Sequence, residues 1–96
     1  MTDIGKRIKI LRTERGLTMD MVVADMNQKL NLDPPLNKSM ISRWENQESE
    51  PTLENAKFLS IYFDVSLDYL IGNTDVRTPS RLLIRKQKEM IRNEIS

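Results

Sequence analysis

The stretch Asn37-Lys38-Ser39-Met40-Ile41-Ser42-Arg43-Trp44-Glu45-Asn46 reads as a short helix with two unlike faces. Asn37 is a good N-cap, because its side-chain oxygen can accept an orphan N–H of the first turn. Ile41 and Trp44 lie three apart and share an apolar side. Lys38, Ser39, Ser42, Arg43 and Asn46 fall on the other side. Two of these are cations, and the rest are short hydrogen-bonding groups. Such a face fits the major groove of DNA, which is wide enough to admit a helix. It is equally the ordinary solvated face of an amphipathic helix, so the surrounding chain has to decide between the two.

Three further segments bear on that choice. Ile8-Lys9-Ile10-Leu11-Arg12-Thr13-Glu14-Arg15-Gly16-Leu17-Thr18 precedes the helix. Glu45-Asn46-Gln47-Glu48-Ser49-Glu50-Pro51-Thr52-Leu53-Glu54-Asn55-Ala56 and Phe63-Asp64-Val65-Ser66-Leu67-Asp68-Tyr69-Leu70-Ile71-Gly72 follow it. In this order they resemble the helix-turn-helix domain of the phage repressor and Cro family, often called the Xre family, over roughly residues 4–72. The resemblance implies an all-α, five-helix, lambda-repressor-like domain. It also implies a sequence-specific DNA-binding regulator of transcription, most simply a repressor that binds a palindromic operator as a dimer through residues 38–46.

The whole chain is consistent with a protein of that size and kind. Its 96 residues suffice for one small domain and an appendage. It contains neither cysteine nor histidine. That excludes disulfides and thiol nucleophiles and removes the usual nitrogen and sulfur ligands of zinc. No cofactor or metal is expected. No apolar run is long enough to span a bilayer and the N-terminus lacks a signal-peptide core, so a soluble cytoplasmic protein is the expectation, with no membrane partner. An enzyme is not supported, since there is no Gly-rich phosphate loop and no paired acid–base motif.

The net charge of +1 hides a segregated pattern. Residues 1–17 carry Lys6, Arg7, Lys9, Arg12 and Arg15, and residues 48–76 are mainly acidic. Residues 77–96 are basic again. A chain organised in this way can present one positive surface to a phosphate backbone.

Helical periodicity and capping residues place the other elements. Ile4, Ile8 and Leu11 mark a first helix ending at Gly16. Thr18 caps a second, with Val22, Val23, Met26 and Leu30 as its apolar stripe. The family's second helix is shorter and turns directly into the third. Here roughly eight extra residues are read as an elongated second helix plus the connection Asn31–Leu36, with Leu36 plugging the turn. Some repressors of temperate phages from Gram-positive hosts look similar. Thr52 caps a fourth helix with Leu53, Ala56, Leu59 and Phe63 inward, and Ser66 caps a fifth with Leu67, Leu70 and Ile71 inward. The domain organisation is then residues 1–72 as the DNA-binding domain, 73–79 as a linker and 80–96 as a C-terminal helical tail. In the tail Leu83 and Met90 lie seven apart, as do Ile84 and Ile91. These four residues are a candidate dimer contact, and the seam can instead fold back on the domain or hold another protein.

Arg43 is the central candidate for base contact, because a guanidinium can bond guanine O6 and N7 together. Lys38, Ser39 and Ser42 are the other base candidates, and Thr18, Asn37, Asn46 and Gln47 are candidates for phosphate. Met19 stands where the family commonly places a phosphate-binding glutamine and cannot donate a hydrogen bond. Gln47 replaces the family's usual glycine, which suggests a longer recognition helix or an altered turn. The resemblance implies that Arg12 and Glu45 form a structural pair inside the domain. Double-stranded DNA and a second copy of the chain are the partners expected. The alternative function is an antitoxin-type protein whose tail binds a toxin and whose domain autoregulates.

Overall fold

The computed structural model describes residues 2–78. The expectations for residues 80–96, including Leu83, Ile84, Met90 and Ile91, lie outside these residues. The described chain forms five helices and no strand: α1 (Ile4–Glu14), α2 (Met19–Lys29), α3 (Lys38–Glu45), α4 (Leu53–Phe63) and α5 (Leu67–Leu70).

Four of the five begin at the expected caps. Thr18 Oγ1 accepts the N–H of Met21 at 3.1 Å, Asn37 Oδ1 that of Met40 at 3.0 Å, and Thr52 Oγ1 that of Asn55 at 3.2 Å. Ser66 Oγ accepts the N–H of Tyr69 at 2.9 Å. Each bond satisfies a donor that the first turn would otherwise leave open.

All five helices also stop in the same way. A residue in the left-handed region follows each one: Gly16 (φ 67°), Asn31 (φ 50°), Gln47 (φ 61°), Asp64 (φ 54°) and Gly72 (φ 90°). The next N–H then reaches back over the last turn, as Leu17 does to the Arg12 carbonyl at 3.0 Å and Glu48 to that of Arg43 at 2.9 Å. Short polar Asn and Asp tolerate this backbone, whereas glutamine adopts it against a steric cost. Gln47 therefore makes the family's sharp turn without the family's glycine. α3 is not lengthened, and it ends at Glu45.

Ile8, Val22, Met26, Ile41, Leu59, Phe63 and Leu70 are at most 1% exposed and form the centre of one core. Each such side chain contributes about 1.5–3 kcal/mol through burial. Two sequence expectations are corrected here. Leu53, placed on the inner face of α4, is 65% exposed. In α5 the buried aromatic is Tyr69, while Leu67 and Ile71 are half-buried. The reason is that α5 is a single short turn, so its inward side is set by what α1 presents. Arg7 lies over the Tyr69 ring, its guanidinium carbon 4.3 Å from the centroid.

The elongated α2 and its connection are held by one side chain. Asn27 donates its Nδ2 to the Leu36 carbonyl at 2.9 Å and accepts the Leu36 N–H on Oδ1 at 2.8 Å. Leu36, clasped at both backbone groups, is 4% exposed and plugs the turn before α3.

The segment after Gly72 is pinned to the domain. The Arg77 carbonyl accepts the Ser66 N–H at 3.1 Å. The Arg77 guanidinium grips both carboxylate oxygens of Glu14 at 2.7 and 2.8 Å, and Asp75 accepts from Arg7 at 2.9 Å.

α1 and α3 meet at Gly5. A Cβ there would collide with the Trp44 carbonyl oxygen and lie 2.8 Å from its carbon. Gly5→Ala is therefore expected to destabilise the domain by about 1–3 kcal/mol, although alanine favours an isolated helix by about 1 kcal/mol. Urea denaturation of the two proteins checks this; a midpoint that is unchanged or higher in the variant would refute the close approach.

Candidate nucleic-acid interface

The inner side of α3 is fixed from three directions. Ile41 is fully buried and Trp44 is 4% exposed. Glu45 accepts the Arg12 Nε at 2.6 Å and Nη2 at 2.8 Å, a two-point ion pair. The third Arg12 nitrogen, Nη1, donates to the Leu17 carbonyl at 2.8 Å. One guanidinium thus ties the end of α1, the turn into α2 and the end of α3. The side chains are 13% (Arg12) and 2% (Glu45) exposed, and hydrogen bonding to Glu45 raises the Arg12 pKa above its ordinary value. Among the described residues no buried side-chain nitrogen or oxygen lacks a partner.

With the inner side fixed, the outer side is presented to solvent. Lys38, Ser39 and Arg43 are exposed and Ser42 is half-buried. These four side chains line one shallow, open depression. Arg43 donates Nε to the Ser39 carbonyl at 3.3 Å, which leaves its two terminal nitrogens pointing on from the helix as a fork. Asn46 Nδ2 donates to Ser42 Oγ at 3.3 Å, so the Ser42 hydroxyl hydrogen can serve an acceptor outside. Lys38 Nζ lies 3.7 Å from Asp20 Oδ2 in the first turn of α2.

That contact brings the starts of α2 and α3 side by side, and with them the exposed Thr18 and Asn37. Both use an oxygen as a cap. The Thr18 hydroxyl hydrogen and the Asn37 amide N–H groups can still donate. Asn46 and Gln47 are exposed at the opposite end of α3. The described fold therefore sets the base candidates on one helix face, with phosphate candidates at both ends of it. Sequence reasoning missed Asp20, the acidic neighbour of Lys38. It also missed Asn27, the clasp that delivers Leu36 to the turn; an asparagine inside a helical stretch is not a specific signal for such a role.

The basic run of the first seventeen residues is largely engaged within the domain. Arg7 faces Tyr69 and Asp75, and Arg12 faces Glu45. Arg15 donates to the Phe63 carbonyl at 2.7 Å and the Tyr62 carbonyl at 3.3 Å. Lys6 and Lys9 remain exposed. Glu50 is turned toward Thr2, whose N–H it accepts at 2.7 Å and whose hydroxyl it accepts at 2.9 Å. The backbone bond from Thr2 holds the Glu50 carboxyl below its ordinary pKa. Among the described residues no cluster of acidic side chains could hold a metal ion, and no helix is long and apolar enough to cross a membrane.

The sequence profile of a family described as "Helix-turn-helix" matches residues 8–70, from the middle of α1 to the end of α5. The chain is also similar to a protein of Enterococcus faecalis named "HTH-type transcriptional activator BcrR", with 24% identity over 93 residues. The match covers 97% of this chain and 42% of that protein, so the chain spans less than half of the relative's length. No solved structure gives a significant match.

Because Arg12 and Glu45 are withdrawn from water, removing either leaves a charge without its partner. Arg12→Ala and Glu45→Ala should each cost about 3–5 kcal/mol. Thermal denaturation of both variants checks this, and melting temperatures like that of the unaltered protein in both would show that the pair does not hold α3.

Proposed function

The chain belongs to the helix-turn-helix family, and from that premise we propose that it is a sequence-specific DNA-binding regulator of transcription whose α3 enters the major groove. The observation that carries this reading is the division of α3: one side locked by Trp44, Ile41 and Arg12–Glu45, the other offering Lys38, Ser39, Ser42 and Arg43 together. A rigid helix with a donor-rich outer face can be pressed against base edges without losing its place in the domain. The Arg43 fork reads guanine, the serines approach neighbouring bases, and Lys38 bonds either a base or a phosphate. Thr18 and Asn37 on one flank, and Asn46 and Gln47 on the other, bond phosphates and set the helix in register.

The active species is a two-fold dimer. One eight-residue recognition helix reads too few base pairs to single out a site, whereas two copies about 34 Å apart read a palindrome on one side of the duplex. Bound over a promoter, such a dimer represses. The similar protein of Enterococcus faecalis is named an activator, and the same docking permits activation when the site lies beside the promoter. That relative's name supports a transcriptional regulator over the antitoxin reading.

Replacing Arg43 separates base reading from phosphate binding. Arg43→Ala should weaken binding to the specific site by about 1–3 kcal/mol and relax preference at one base pair. Arg43→Lys, which keeps the charge but not the fork, should relax the same preference. A titration of both variants against site variants checks this. Uniform weakening on every sequence would make Arg43 a phosphate ligand and remove it from base recognition.

The stoichiometry is tested separately by sedimentation of the full chain with its operator. Two chains per palindrome are expected, and one chain per site at saturation would defeat the dimer.

A further inference from the structure

The starts of α2 and α3 carry opposite charges that face each other. Lys38 is the first residue of α3, and Asp20 lies in the first turn of α2. Lys38 Nζ is 3.7 Å from Asp20 Oδ2, and both side chains are mostly open to solvent. Of the ion pairs among the described residues, it alone takes a side chain from the outer face of α3. Lys38 also lines the depression that it shares with Ser39, Ser42 and Arg43. The carboxylate therefore stands at the edge of the surface read above as the DNA interface.

An exposed pair of this kind adds little to stability. Asp20 also suits the positive end of α2, but that role does not require it to meet a cation on another helix. The contact bears instead on what Lys38 can bind. Lysine is a point charge on a flexible stem, free to swing to the nearest phosphate. Paired with Asp20 it is neutral as a unit and gains little from displacing counterions. A phosphate drawn to it would also come close to the carboxylate, and like charges repel. A base acceptor such as guanine O6 or thymine O4 carries no full charge and meets no such repulsion. An ammonium has three donors, so one turned toward Asp20 leaves two for that acceptor.

Resting on the reading that α3 enters the major groove, we propose that Asp20 is a specificity-determining positioning residue, which withholds Lys38 from phosphate and reserves it for a base edge. It touches no base itself and acts through the lysine. Its presence lowers affinity for DNA of arbitrary sequence and sharpens the choice at one base pair. A carboxylate that serves only its own helix start has neither effect.

The full chain is compared with Asp20→Asn, Lys38→Ala and the double variant. Selection from a pool of randomised duplexes gives the base preferences. Titration of an unselected duplex from that pool, at several salt concentrations, gives the affinity and its salt slope. Asp20→Asn should bind the unselected duplex about three- to ten-fold more tightly at low salt, with a log–log slope steeper by about 0.9, one further phosphate contact. Preference at one base pair should fall at least about three-fold. Lys38→Ala should lose that same preference, and adding Asp20→Asn to it should then change both readouts by less than about two-fold. An effect of Asp20→Asn that is as large without Lys38 would mean that Asp20 acts on DNA directly, and would overturn the proposal. So would an unchanged slope and preference, or a lower melting temperature with equal weakening on every duplex. A chain that selects a site yet ignores Asp20→Asn keeps the functional reading and loses only the role of Asp20. A chain that selects no sequence at all loses both.

Discussion

α3 keeps its place because two different contacts meet at its last turn. Gly5 lets the backbone of α1 touch the backbone of α3 at Trp44, where any side chain would hold them apart. One residue further on, Glu45 is gripped by Arg12 through two hydrogen bonds. The first contact is steric and sets the distance between the helices. The second is electrostatic and sets the rotation of α3, since only one rotation points the carboxylate at α1. An ion pair withdrawn from water contributes little net stability, because desolvation offsets its attraction. Its value here is geometric: it specifies which side of an eight-residue helix looks outward.

The connection between α2 and α3 is disciplined from within. Asn27 imitates a backbone partner, offering one donor and one acceptor to Leu36 as a neighbouring strand would. Extra residues between Lys29 and Leu36 can therefore bulge outward without moving the start of α3. The groove beside this connection is lined by Leu30, Leu32, Leu36, Met40 and Phe58 among others, so the insertion adds apolar surface while leaving the Asn37 cap in place.

Much of this was legible in the sequence because the signals are local. Thr18, Asn37, Thr52 and Ser66 are caps whose chemistry acts within one turn, and Gly16 and Gly72 mark stops that their backbone angles justify. Ile41 and Trp44 announced the buried side of α3 by spacing alone. What escaped is non-local. Tyr69 is buried because Arg7 and Arg77 lie against its ring, and nothing near Tyr69 in sequence says so. Leu53 carries an apolar side chain at the first position of α4, where the helix has already turned away from the core. Gln47 hides a left-handed backbone behind a residue that rarely adopts one. The arginines of residues 1–17 read as surface charge when summed along the chain, yet carbonyls, a ring and two carboxylates take up all three of them.

This internal use of arginine limits the charge that remains for phosphate. Each phosphate contact steepens the loss of DNA affinity with salt by a log–log slope of about 0.9. A domain that keeps Arg7, Arg12 and Arg15 for its own scaffold, and shares Lys38 with Asp20, offers fewer cations to phosphate than its count of basic residues suggests. If α3 docks on DNA as proposed, the loss of affinity with salt is correspondingly shallow. Discrimination on that reading rests on the side chains of one short helix.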